Sequence, residues 1–99
     1  MYTYKVIVSD QAKSDVRWFV KHIAIVYGQP ATARRYEDGI WNTIWSLSRM
    51  AGLRQANPYV QGRYGVNARH IVYKKVSIIY VIEGEYVYVS HVISGALLH

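Results

Sequence analysis

The chain has 99 residues, which suits one domain (1–99) with a thin core. Twelve Lys and Arg against six Asp and Glu give a formal charge of +6, so its surface attracts phosphate backbones and acidic proteins. With no cysteine, disulfides, thiol catalysis and zinc–thiolate sites are excluded. No apolar run is long enough to span a bilayer, and the opening Met1-Tyr2-Thr3-Tyr4-Lys5 lacks a signal-peptide pattern, so the expected location is the cytoplasm.

Residues 3 to 8, Thr-Tyr-Lys-Val-Ile-Val, are β-branched and aromatic and predict a strand. Ser9-Asp10 offers side-chain oxygens to the free amides of a helix start. Ala12, Val16, Phe19, Val20, Ile23, Val26 and Tyr27 then recur at helical spacing, with Lys13, Asp15, Arg17 and Lys21 mostly opposite. Gly28 suits a left-handed stop, and Pro30 suits a first helical position. A second stripe of Ala33, Tyr36, Ile40, Ile44 and Leu47 predicts another helix ending near Gly52. So short a link makes the two helices an antiparallel hairpin.

From Leu53 to Ala68 the periodicity is lost, and Asn57-Pro58, Gly62, Gly65 and Asn67 predict a loop with little regular structure. Strand formers follow: 69 to 75, 76 to 83 and 85 to 93, with Glu83-Gly84 as a tight hairpin between the last two. The Lys74-Lys75 junction leaves open whether the first two are separate strands or one bent strand. The expected fold is α+β, with an N-terminal strand and a helical hairpin packed on a small twisted antiparallel sheet (β-α-α-β-β-β). Helices on one side of the sheet would leave the other side exposed, and function is expected there.

The segment Ala68-Arg69-His70-Ile71-Val72-Tyr73-Lys74-Lys75-Val76-Ser77-Ile78-Ile79-Tyr80 resembles the RelE/ParE toxin superfamily. Arg69 opens a strand there, and Ile78-Ile79 precede Tyr80. Ser9-Asp10-Gln11-Ala12 with Asp15 is similar to that superfamily's first helix start, and Val92-Ile93-Ser94-Gly95 to its last segment. The resemblance implies the toxin of a type II toxin–antitoxin pair, needing no cofactor, with a cognate acidic antitoxin and a toxin–antitoxin hetero-oligomer. Its ParE branch implies a non-enzymatic inhibitor of DNA gyrase. Its RelE branch implies a metal-independent endonuclease acting on messenger RNA at the ribosome, and an attenuated member that only binds antitoxin is a third alternative. Ser77, Ser94 and Leu97 stand where nuclease members carry catalytic basic groups or a histidine, which favours the ParE branch.

Metal-free RNA cleavage needs a proton acceptor, a proton donor and cations on the phosphate. His70 and Lys74, placed by strand alternation on one face, are the candidate catalytic pair for that alternative. A solvated edge histidine is the plainer reading of His70. His91 alternates with Val87, Val89 and Ile93, which reads as a core histidine, and His22 as a surface residue. Arg54, Arg63, Tyr64, Arg69 and Lys75 are candidate target or RNA contacts. Arg69 and Tyr80, which carry the resemblance, also fit structural roles. Trp41 and Trp45, four apart on one helix face, are candidate antitoxin contacts or core fillers. Histidines and carboxylates show no metal-ligand spacing.

Overall fold

A computed structural model of the chain describes residues 3–53, 58–65 and 67–94, apart from the side chain of Tyr59. The elements are β1 (Lys5–Val8), α1 (Asp10–Val26), α2 (Pro30–Met50), a 3-10 turn (Ala51–Leu53), α3 (Pro58–Tyr64), β2 (Arg69–Tyr73), β3 (Val76–Glu83) and β4 (Tyr86–Ser94).

Local chemistry explains the hairpin. Ser9 caps α1, its hydroxyl accepting from the Ala12 amide at 3.0 Å and donating to the Ser90 carbonyl at 2.8 Å. One side chain therefore starts the helix and ties it to β4. Gly28 takes a φ of +61° between the helices, and Pro30 opens α2 at a position that needs no amide donor. The core stripe of α2 is as expected: Ala33, Ile40, Ile44 and Leu47 are buried, with Tyr36 packed at the edge. Each large aliphatic side chain buried there contributes about 1.5–3 kcal/mol.

In α1 the stripe is shorter than its periodicity. Ala12 and Val16 are buried and Phe19 and Val20 are half-buried against the core, but Val26 and Tyr27 are exposed. The first turns of α1 lie on the sheet, whereas its last turn has no core beneath it.

Among the described residues the sheet has the order β1-β4-β3-β2. β2, β3 and β4 form the expected antiparallel meander, while β1 pairs in parallel with β4, from Lys5 opposite Tyr86 to Val8 opposite Val89. The sheet is thus mixed, because the partner of β1 comes from the far end of the chain. Tyr73 pairs with Val76, so β2 and β3 are separate strands joined by Lys74-Lys75, with Lys74 at a φ of +53°. The β3–β4 turn is Gly84-Glu85, one residue later than expected, since Glu83 pairs with Tyr86 and Gly84 takes the positive φ.

The helical hairpin covers one sheet face. Val6, Val8, Ile71, Val76, Ile78, Tyr80, Val87, Val89 and Val92 meet it there. The other face is not fully open, which corrects two expectations. Residues 58 to 64, read as loop, form α3, and Val60 on it is buried with Ala68 and Ile79 in a second small core that Tyr64, Val81 and Ile93 complete.

Candidate functional site

Cross-strand register assigns the face beneath α3 residue by residue. Lys5, Tyr86 and Glu83 form one row; Ile7, Tyr88 and Val81 the next; His91, Ile79 and His70 the third; Ile93, Ser77 and Val72 the fourth. The third row carries the titratable chemistry. His70 and His91 flank the buried Ile79, with backbones two strand spacings apart, roughly 10 Å.

His91 reaches this face through a β-bulge. Tyr80 pairs with Val89 but Ile79 pairs with His91, so Ser90 is the extra residue and side-chain alternation reverses after it. His91 is consequently not in line with Val87 and Val89, which corrects its expected place in the core; Val92 takes that place instead. The slip was visible in the run Val87, Val89, Val92, whose apolar spacing changes from two to three at Ser90-His91. His91 Nδ1 lies 3.0 Å from Ser90 Oγ, and that hydroxyl points to the Ile79 carbonyl at 3.4 Å. With its hydroxyl directed at the Ile79 carbonyl, Ser90 Oγ turns a lone pair toward His91 Nδ1. The Tyr64 ring packs on the His91 imidazole at 4.8 Å.

The expected partnership of His70 with Lys74 is not assembled. The left-handed backbone at Lys74 turns its side chain to the helix side, where Nζ sits 5.7 Å from the Tyr36 ring and 5.6 Å from the Tyr73 ring. His70 stands on the opposite face with Val72 and Ser77. Tyr36 and Tyr73 meet edge to face at 5.5 Å. Burial pushes the Tyr36 phenol above its ordinary value, and Tyr73 adds to this, against a lowering hydrogen bond from the Lys75 backbone.

The remaining candidates are dispersed. Arg69 and Tyr80 are cross-strand neighbours on the helix side, and the Tyr80 hydroxyl donates to the Ala51 carbonyl at 2.7 Å. Arg63 is exposed in the last turn of α3, Tyr64 is half-buried, and Lys75 is exposed in the β2–β3 turn. Trp41 packs against the main core and stacks on Trp45 at 5.7 Å, while Trp45 is exposed. Arg54, and the segment from Gly95 with Leu97, lie outside the described residues. Ser77 is buried, its hydroxyl without a hydrogen-bond partner among them. Among the described residues no three His, Asp or Glu side chains come together to hold a metal ion, and no helix is long and apolar enough to cross a membrane.

No protein-family model and no curated protein matches the chain. Among solved structures it is similar to a chain described as "Chromosomal ParDE TA system from P. aeruginosa", at 14% identity and a TM-score of 0.77, over 95% of this chain and 98% of that one. At that identity the likeness is one of fold: the strand, helical hairpin and mixed sheet of this chain are shared with that protein along nearly their whole lengths.

Proposed function

We propose that the chain is a single toxin domain, the toxic half of a type II toxin–antitoxin pair, acting in the bacterial cytoplasm and held inactive by an acidic antitoxin. The observation that carries this is the fold shared over 95% of the chain with a protein of a ParDE toxin–antitoxin system. The charge of +6 fits an acidic partner. Within this reading the toxin works by binding a protein target, DNA gyrase, as a ParE-like inhibitor. The placement of Lys74 over Tyr36 and Tyr73, away from His70, supports binding over the expected acid/base pair.

One observation favours a second reading. His70 and His91 share a face on either side of Ile79, and two imidazoles so placed could bracket a phosphodiester as acid and base in a ribosome-dependent messenger-RNA endonuclease. A brief pulse of expression in bacteria, with the 5′ ends of cellular messages mapped before and after arrest, separates the two. Arrest with intact messages, and loss of gyrase supercoiling by the purified chain, is the expected result. New ends inside translated frames, lost with His70→Ala or His91→Ala, would establish the nuclease. Growth without arrest would refute the toxin reading and leave a protein that only binds antitoxin.

A further inference from the structure

The outward side of α2 carries a line of residues that the core touches only through Trp41. Asp38, Trp41, Trp45 and Arg49 follow at steps of three, four and four, so they share one stripe, turned away from Ile40, Ile44 and Leu47. Asp38 and Arg49 are exposed, and Trp45 is 51% exposed in spite of its size. Its ring stacks on Trp41 at 5.7 Å and 22°, and Trp41 packs against the main core, so the aromatic patch is held in shape before anything covers it. Leu53, 75% exposed in the 3-10 turn, extends the apolar surface past the end of the helix.

We infer that this stripe is a homodimer interface, in which α2 of one copy packs antiparallel on α2 of a second. The order of charges selects that occupant. With an acid at one end, a base at the other and indoles between, the stripe is complementary to itself when reversed. About a two-fold axis at the level between Thr43 and Ile44, Asp38 faces Arg49 of the second copy and Arg49 faces its Asp38, each about 8 Å along the helix from the axis. Trp41 and Trp45 lie about 2–4 Å to either side of it, so four indoles meet at the centre, inside a charged rim. Two chains of +6 repel each other, but that charge is spread over the whole surface and screened with a Debye length of about 8 Å at physiological ionic strength. The two ion pairs act at contact. This association stands apart from the toxin reading, and growth arrest plays no part in its test.

Analytical ultracentrifugation of the purified full chain over a dilution series reads the monomer–dimer equilibrium. Trp45→Ala should weaken association roughly tenfold or more, and Trp18→Ala, at an exposed site on α1, should leave it unchanged. Asp38→Arg and Arg49→Asp each set like charges opposite one another at both ends of the interface, so each should weaken self-association. For Arg49→Asp net charge alone predicts the reverse, since one cation lost and one anion gained take the chain from +6 to +4. Mixing the two charge variants makes every pair opposite again, so the equimolar mixture should associate as the parent does. Circular dichroism of each variant verifies that the fold is retained.

A chain that stays monomeric throughout the series would leave the stripe to a partner of another sequence and overturn the assignment. So would a dimer that survives Trp45→Ala or is lost with Trp18→Ala, which would place the contact elsewhere on the fold. Tighter association of Arg49→Asp than of the parent would mean that overall repulsion governs the contact and not pairing with Asp38. Charge variants that fail to associate when mixed would refute the antiparallel register.

Discussion

Tyr80 offers the clearest separation of scaffold from function. It is fully buried in the middle of β3, and its hydroxyl donates a 2.7 Å hydrogen bond to the carbonyl of Ala51, the residue that ends α2. Tyr80→Phe keeps the ring and its packing and removes only that donor. The lost bond, plus a carbonyl left without it in the interior, should cost about 1–2 kcal/mol. For a domain of this size each kcal/mol lowers Tm by roughly 4–8 °C, so a fall of about 5–15 °C is expected. Truncation to alanine would cost about 3–5 kcal/mol, a large part of the stability of so small a domain. Urea denaturation followed by circular dichroism should move the midpoint of Tyr80→Phe to lower urea at an unchanged slope. On the proposed toxin reading, growth arrest should persist in this variant well below its melting temperature. An unshifted midpoint would mean that the bond to Ala51 contributes nothing to stability. A variant as stable as the parent but no longer toxic would mean that Tyr80 acts in function rather than in packing.

Asp15 joins α1 to β4: one carboxylate oxygen accepts the Val92 amide at 2.9 Å and the other accepts from Gln11 Nε2 at 2.8 Å. Asp15→Ala should destabilise the fold by about 1–3 kcal/mol and speed hydrogen exchange at the Val92 amide, and Asp15→Asn should do so less; unchanged exchange would refute the tether. A Cβ at Gly39 would overlap the hydroxyl end of Tyr73, which Tyr36 and Lys74 hold in place. Gly39→Ala should therefore destabilise the fold by about 1–3 kcal/mol and lower the urea midpoint accordingly, despite the better helix propensity of alanine, and a rise in the midpoint would show that the Tyr73 ring is free to move. Because burial raises the Tyr36 pKa above 10.0, the unfolded chain ionises first as pH rises. Its contribution is present below pH 10.0 and lost above it, so Tyr36→Phe should flatten the alkaline fall in Tm. An equally steep fall in that variant would refute the assignment.

Features governed by short-range chemistry were legible in the residues themselves. Ser9 as a cap, Gly28 as a left-handed stop, Pro30 at a helix start and the stripe from Ala33 to Leu47 all depend on neighbours within a turn or two. Features set by distant partners were not. The seven residues of α3 begin at Pro58, stop before Gly65 and contain Gly62, a composition that reads as loop; burying Val60 against Ile79 and Ala68 accompanies the helix there. The direction of β1 rests on a pairing with β4 across most of the chain, and no local pattern distinguishes parallel from antiparallel.

The candidate site divides along the same line. Residue types identified His70 as a group able to carry acid/base chemistry, and the family resemblance singled out Arg69 and Tyr80, which only the strand register shows to be neighbours. Tertiary structure decided where each side chain goes. A left-handed turn sends Lys74 to the helix side, and one extra residue at Ser90 moves His91 from the expected core to the face it shares with His70. A strand alternates with a period of two, so a single inserted residue exchanges its faces, and only the register of the whole sheet determines where that exchange falls.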